Sequence, residues 1–171
     1  HAHCYLFGRN MAINMKIGED DCQYVCMPLF HAMGLWMQVF SAMIAGARVY
    51  CIERFSPATW LEDVRKSGAT VSNALGVMPE FIFRTPETEH DRDHKLRLVV
   101  AVPIAAEWGD AMEARFGLKF LQVYGMTEVN IPSYTNEDDP LLPGMAGHIV
   151  DEYFEVRVVN ATTDAPLPQG D

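Results

Sequence analysis

Five consecutive residues, Tyr124-Gly125-Met126-Thr127-Glu128, carry groups that suit a nucleotide with its phosphates and a metal ion. A tyrosine ring can stack on a base, and a glycine lets a ligand approach the backbone closely. The hydroxyl of Thr127 can meet a phosphate oxygen, and the carboxylate of Glu128 can bind a hard cation. The same run also fits a turn followed by the acidic first turn of a helix, so by itself it leaves both interpretations open.

The apolar stretch 118–123 comes directly before this run and predicts a buried strand. Such a strand would deliver the run to its own carboxyl end. Open parallel sheets bind ligands in the crevice outside the carboxyl ends of their strands. We therefore expect residues 124–128 at a strand end that faces an open crevice.

Strand-like and helix-like segments alternate along the chain, which predicts an α/β fold with a layered, mostly parallel sheet and flanking helices. Strands are predicted at residues 23–27, 48–52, 70–75, 97–102, 118–123 and 152–159. Helices are predicted at residues 3–17, 34–45, 79–84 and 104–116, and in a segment that starts at Ser56-Pro57 and ends at Gly68. The helix at 34–45 is apolar nearly all round and should be fully buried. Residues 130–147 are expected to form a long irregular connection.

Composition limits the possible functions. The chain has 171 residues, 49% of them hydrophobic, which is ordinary for one globular domain. Thirteen basic against 23 acidic residues give a net charge of −10, which argues against a nucleic-acid or anionic-membrane partner. No apolar run reaches the ~18 residues needed for a membrane span. Four cysteines without a CxxC pair favour reduced thiols and a cytoplasmic location.

Several motifs occur in one order that is more specific than any of them alone. They are Pro28-Leu29-Phe30-His31-Ala32-Met33-Gly34-Leu35, the run 124–128, Pro143-Gly144-Met145-Ala146-Gly147, Glu155-Val156-Arg157-Val158-Val159 and Pro166-Leu167-Pro168-Gln169-Gly170. In this order the chain resembles the adenylate-forming, AMP-binding superfamily of acyl-CoA synthetases, luciferases and peptide-synthetase adenylation domains. Within it, the stretch from Arg54 through Gly117 looks most like the carnitine or crotonobetaine CoA-ligase branch.

The resemblance implies a two-step reaction. A carboxylic acid attacks the α-phosphate of ATP to give an acyl-adenylate and pyrophosphate, and the thiol of coenzyme A then displaces AMP. It also implies that Tyr124 stacks on adenine, with Gly125 and Met126 shaping the adjacent wall. Thr127 and Glu128 would be the catalytic residues, Thr127 as a hydrogen-bond donor to a phosphate oxygen and Glu128 as the Mg²⁺ ligand.

The resemblance places further residues at the acid-binding pocket, namely His31, Val102, Gly144 and Gly147. His31 would line the pocket rather than act as a general base, and its alternative role is that of a packed or capping residue. Many family members have a Gly-Ala-Pro-like step where this chain has Ala101-Val102-Pro103, so this wall is expected to differ.

By the same resemblance, residues 1–171 should be one incomplete α/β domain, a central fragment of the large N-terminal domain. The phosphate loop is expected before His1, and the small C-terminal lid domain with its catalytic lysine after Asp171. The isolated chain should therefore be inactive. Two alternatives stay open: an adenylation domain that loads a carrier protein, and a non-catalytic α/β binding or scaffold domain. A hydrolase is disfavoured because no G-x-S-x-G nucleophile elbow occurs.

The sequence leaves the acid undecided. Ten methionines and nine phenylalanines allow an adaptable apolar pocket for a fatty or aryl acid. The carnitine-like resemblance suggests instead a short acid with a quaternary ammonium group, for which an aromatic cage is expected. The oligomeric state is open as well.

Overall fold

A computed structural model describes residues 1–142 and 144–168. Within these ranges, five parallel strands form the main sheet in the spatial order β2-β1-β3-β4-β5. Along the chain they are β1 Cys22–Val25, β2 Arg48–Cys51, β3 Val71–Leu75, β4 Leu98–Val102 and β5 Lys119–Leu121. The alternating pattern of the sequence thus predicted the architecture of this sheet correctly.

Helices cover both faces of the sheet. They are α1 Ala2–Asn14, a π-helix at Met33–Val39, α2 Phe40–Ala45, α3 Trp60–Ser67, α4 Met78–Phe83 and α5 Gly109–Phe116. Alternate side chains of β4 divide the core, because successive residues of a strand point to opposite faces. Val99 and Ala101 pack with α3, α4 and α5, whereas Leu98 and Val100 pack with α1 and the π-helix. No helix in the described ranges has the length and hydropathy to cross a membrane.

A second, antiparallel sheet carries the motif residues. It contains β6 Val123–Met126, β7 Asn130–Tyr134 and β8 His148–Ile149, in that spatial order. The chain leaves the parallel sheet at Gln122, whose backbone N–H donates to Oγ1 of Thr135 (2.8 Å). The carbonyl of Gln122 accepts from the backbone N–H of Thr135 (2.9 Å). The strand predicted at 118–123 is therefore confirmed for Lys119–Leu121 only. Its last two residues leave the parallel sheet, because a segment 13 residues later provides their hydrogen-bond partners.

Two further predictions for the carboxyl-terminal part are also wrong. The segment 130–147, expected to be irregular throughout, begins with the largely buried strand β7. Residues 152–159, expected to form a strand, are a turn and irregular backbone, and their β-pairing in the described chain is a single bridge between Val159 and Pro166. An alternating pattern becomes a strand only where another strand offers it hydrogen bonds.

Four helix predictions need correction. The helix expected at 3–17 ends at Asn14, and the helix expected at 104–116 begins at Gly109. The helix expected to start at Pro57 begins at Trp60, because residues 57–59 form a turn. The helix expected at 34–45 is a π-helix in its first half, and Met43 and Ile44 near its end are 68% and 41% exposed. Its buried side faces the sheet, where the side-chain amide of Gln38 donates to the carbonyl of Tyr24 (2.8 Å). This buried bond fixes the π-helix over β1.

Candidate functional site

A cavity of about 320 Å³ lies between α1, the π-helix and the ends of β3, β4 and β6. Its lining is apolar apart from three polar residues. The lining residues are Phe7, His31, Ala32, Met33, Met37, Leu75, Val102, Val123, Gly125, Met126, Thr127, Glu128 and Ile131. The exposure of these residues shows that the cavity has a buried end and an exposed mouth. Phe7, Met33, Met37 and Ile131 are at most 5% exposed, whereas His31, Thr127 and Glu128 are exposed and form its mouth.

The five motif residues lie partly in β6 and partly in the turn that follows it. Tyr124, Gly125 and Met126 belong to the strand, and Thr127 and Glu128 begin the turn into β7. Tyr124 is 56% exposed and does not line the cavity. Met126 does line it, because the register between β6 and β7 shifts between Tyr124 and Met126. The expected position at the end of a strand is therefore found for Thr127 and Glu128 only. The strand that they follow, β6, belongs to the antiparallel sheet.

Gly125 allows β6 and β7 to approach each other closely at this bulge. A Cβ atom at this position would lie 2.2 Å from the carbonyl oxygen of Asn130 and 3.0 Å from the Cα of Ile131. Both atoms belong to the backbone of β7, so no side-chain movement can relieve the contact. The glycine thus sets the position of the turn that carries Thr127 and Glu128.

The amino-terminal end of α1 contacts the turn between β6 and β7 from the other side. The Nε2–H of His3 donates to the carbonyl oxygen of Thr127 (2.7 Å). The side-chain amide of Asn130 donates to the carbonyl of His3 (2.8 Å), and Asn130 itself has a φ of +68°. Sequence reasoning missed this contact, because 124 residues separate His3 from Thr127. The positive φ is one that asparagine tolerates better than most residues, but no local pattern indicated it.

Two of the predicted acid-binding residues reach the cavity. His31 lies at its mouth, and Val102 lies at the carboxyl end of β4. The Nδ1 atom of His31 accepts a hydrogen bond from the backbone N–H of Met33 (3.1 Å), so the proton of the neutral ring is on Nε2. His31 thus bonds the backbone at the start of the π-helix and also lines the cavity, and its role at an acid-binding pocket stays a prediction.

The other two predicted acid-binding residues lie elsewhere. Neither Gly144 nor Gly147 lines the cavity. Gly147 has a φ of +81°, and a Cβ atom there would lie 2.1 Å from the carbonyl of Tyr134, so it allows close packing on the end of β7. Gly144 has a φ of +77° and no atom within 4 Å of an added Cβ. Pro143, Gln169 and Gly170 of the motifs lie outside the described residues, and so does Asp171.

The charge at the mouth comes from one carboxylate. Glu128 is the charged residue of the lining, and among residues 1–142 and 144–168 no arginine or lysine joins it. In the same ranges, no group of three or more His, Cys, Asp or Glu side chains is placed to hold a metal. Mg²⁺ is commonly bound by one or two carboxylates together with substrate phosphates. The hydroxyl and carboxylate oxygens of Thr127 and Glu128 suit such a shared site chemically.

Comparison with known proteins now identifies the family. The family model described as "AMP-binding enzyme" matches residues 1–171. The chain belongs to the AMP-binding enzyme family. Over 99% of its length it is 28% identical to a medium/long-chain-fatty-acid–CoA ligase of Mycobacterium tuberculosis. Over 75% of its length it is 32% identical to a crotonobetaine/carnitine–CoA ligase of Salmonella typhi. It spans 33% and 25% of the lengths of these two relatives.

A solved structure agrees on the fold of this member of the AMP-binding enzyme family. A benzoate CoA ligase from Burkholderia xenovorans LB400 superimposes with a TM-score of 0.87 at 21% identity, and the match covers all of this chain and 35% of that one. The resemblance drawn from the order of the motifs is confirmed. The mostly parallel α/β architecture is confirmed as well.

Proposed function

We propose that the full-length protein containing this chain activates a carboxylic acid with ATP and transfers the acyl group to coenzyme A. This chain would supply part of the large N-terminal domain, with residues 1–171 forming one incomplete α/β domain. One observation carries the proposal: Thr127 and Glu128 stand at the mouth of an apolar cavity, with Tyr124 outside it on β6.

This arrangement offers separate places for the two substrates of an adenylation. The tail of the acid would enter the cavity, and its carboxylate would remain at the mouth. Adenine would stack on the exposed ring of Tyr124, with Gly125 and Met126 beside it, and Thr127 would hydrogen-bond a phosphate oxygen. A carboxylate oxygen would then attack the α-phosphorus, and pyrophosphate would leave. Such a step depends mainly on alignment of the reactants and on charge stabilisation at the phosphate.

Glu128 is the residue we assign to Mg²⁺, together with phosphate oxygens of ATP. When bound, the ion neutralises and polarises the phosphate oxygens. The assignment is supported by the chemistry of the donors, since Mg²⁺ prefers carboxylate oxygen. It is also supported by the exposure of Glu128, which leaves its carboxylate accessible to a nucleotide.

A second recess supports the thioester step. It has a volume of about 280 Å³ and shares His31, Ala32 and Thr127 with the first cavity. A thiol that enters through this recess would meet an acyl-adenylate at the mouth of the first cavity. The thiol would lose its proton to water, its sulfur would bond to the acyl carbon, and AMP would leave. We therefore infer that coenzyme A is the acceptor and that His31 lies between the two entrances.

The alternatives differ in the acceptor and in whether chemistry occurs at all. A carrier-loading adenylation domain would form the adenylate but no thioester with free coenzyme A. A binding or scaffold domain would form neither product. The carnitine-like branch and the cytoplasmic location stay predictions from the sequence.

The test uses the full-length protein and its Glu128→Gln variant. We expect the variant to lose on the order of 10²-fold in acid-dependent ATP–pyrophosphate exchange, the usual effect of removing one group that stabilises developing charge. Raising the Mg²⁺ concentration should restore part of the rate. The matched control is Glu87→Gln, since Glu87 is exposed and does not line the cavity.

Each outcome separates the alternatives. Exchange at the wild-type rate in Glu128→Gln would remove the metal role of Glu128. Exchange without thioester formation from free coenzyme A would indicate carrier loading. No exchange with any acid in the wild-type protein would indicate a non-catalytic domain.

A further inference from the structure

The buried end of the 320 Å³ cavity determines which acids can enter it. Its deepest walls are the side chains of Phe7, Met33, Met37 and Ile131, all at most 5% exposed. None of these side chains carries a charge or a hydrogen-bonding group stronger than a thioether. The part of an acid that lies farthest from its carboxylate would therefore meet only apolar atoms.

A second charge on the acid would have no partner there. No lysine or arginine of the described chain lines the cavity, and Glu128, its carboxylate, stands at the mouth. A distal carboxylate or ammonium would thus lose its hydration without a compensating ion pair, which is strongly unfavourable. Dicarboxylic acids are disfavoured for this reason.

A quaternary ammonium group is disfavoured for a related reason. Such groups are typically recognised by a cage of several aromatic faces. Within residues 1–142 and 144–168, Phe7 is the only benzene-type ring in the lining. Its ring is packed against His3 and Trp36, with centroids 5.2 and 5.4 Å apart. One ring already held by its neighbours does not form a cage.

The cavity volume limits the size of the tail. An apolar cavity of ~150 Å³ holds one benzene ring of six non-hydrogen atoms, so at the same ratio a cavity of about 320 Å³ holds roughly a dozen atoms. The carboxylate at the mouth uses a small part of this space. The remainder fits a chain of about eight carbons, or a single aryl ring with a short substituent.

The two methionines that close the cavity share one face of the π-helix. Met33 and Met37 are four residues apart and both buried against the sheet. The hydrogen bond from Gln38 to the Tyr24 carbonyl keeps this face in place. Methionine side chains are flexible and fill irregular space, so they can adapt to a tail while still limiting its length.

We propose that the acid has an uncharged, apolar tail and about eight to ten carbon atoms in all, and that Met33 and Met37 set this limit. The proposal rests on the adenylation function proposed above and names the substrate class of that same site. It decides between the two kinds of acid that the sequence left open.

The test measures kcat/KM for adenylate formation by the full-length protein with octanoate, decanoate, hexadecanoate, succinate and carnitine. Octanoate or decanoate should exceed succinate and carnitine by roughly tenfold or more, since mismatches in an apolar pocket change kcat/KM by at least this factor. Hexadecanoate should be a poorer substrate than decanoate.

Variants of the lining test the size limit. Met37→Ala removes about three non-hydrogen atoms, or ~75 Å³ at the same ratio, and should shift the preferred chain by about two to three carbons towards longer acids. The matched control is Met43→Ala, which makes the same change at a side chain that is 68% exposed and outside the lining. Val102→Phe changes a half-buried residue in the opposite sense and should favour shorter acids. If Met37→Ala does not fold, Val102→Phe tests the size limit on its own.

The outcomes distinguish this proposal from the proposed function. Preference for succinate or carnitine would overturn the apolar tail but leave adenylation intact. Preference for hexadecanoate, or an unchanged chain-length profile in the folded lining variants, would overturn the size limit. Absence of adenylation with every acid would overturn the proposed function, and this inference with it.

Discussion

Replacement of Gly125 by alanine tests the geometry on which the site depends. The added Cβ atom would lie 2.2 Å from the carbonyl oxygen of Asn130 and 3.0 Å from the Cα of Ile131, whereas ordinary contact begins at 3.4 Å. Because both neighbours are backbone atoms of β7, the two strands must separate. The φ of Gly125 is not in the left-handed region, so the expected effect is purely steric.

The size of the effect follows from this distance. Relief of the shorter contact requires a movement of about 1 Å, which displaces the turn carrying Thr127 and Glu128. A misplacement of ~1 Å in a catalytic arrangement can cost ~10²-fold in rate. Overpacking of a close contact typically costs ~1–3 kcal/mol of stability. We expect losses of these sizes in the full-length protein.

Acid-dependent ATP–pyrophosphate exchange measures the first loss, and urea denaturation followed by circular dichroism measures the second. Gly18→Ala is the control, since an added Cβ there meets no atom within 4 Å and Gly18 has no positive φ. It should keep wild-type activity. The reasoning is refuted if Gly125→Ala exchanges within about twofold of the wild-type rate and its stability changes by less than ~0.5 kcal/mol, the range of neutral surface substitutions.

Three further predictions concern groups outside the cavity. Arg115→Ala breaks the buried ion pair with Asp91 (Nε to Oδ2, 2.5 Å) and should lower the free energy of unfolding in urea by ~3–5 kcal/mol. A loss below ~1 kcal/mol would contradict this prediction. Burial raises the pKa of the Asp91 carboxyl, but hydrogen bonds from Thr88 and Arg115 outweigh it and lower the net pKa. The ionised Asp91 therefore stabilises the fold fully above its unfolded-state pKa of ~3.9, and this contribution is lost as pH falls through the lower pKa of the folded state. Asp91→Asn should weaken the dependence of the unfolding free energy on pH below pH ~4, measured by acid titration. Burial raises the pKa of the Cys26 thiol to about 12, so iodoacetamide at pH 8 should alkylate the exposed Cys51 first, and equal rates by mass spectrometry would argue against this burial.

Local patterns predicted the main sheet because each strand and helix signal there is self-contained. Apolar stretches of suitable length predicted β1 to β4, and two glycines predicted where the helices before them end. Gly68 and Gly117 indeed end α3 and α5 in the left-handed conformation. Such signals act within a few residues, so they survive in the sequence without knowledge of the fold.

The second sheet was not predictable in this way. Strand β7 contains Pro132 and Ser133, a composition that argues against a strand. It forms nevertheless, because β6 and β8 pair with it on either side. The opposite case is the segment 152–159, which alternates like a strand but lies outside both sheets.

For the candidate site as well, the sequence determined one part and the tertiary structure another. The sequence by itself determined the family, through the order of its motifs, and it singled out Thr127 and Glu128 as neighbours. Only the tertiary structure decided that they stand at the mouth of a cavity closed by Phe7, Met33 and Met37, and that His3 holds their turn. The physical reason is that cavity walls and long-range hydrogen bonds join residues far apart in the chain, whereas a sequence pattern reports only the neighbours of a residue along it.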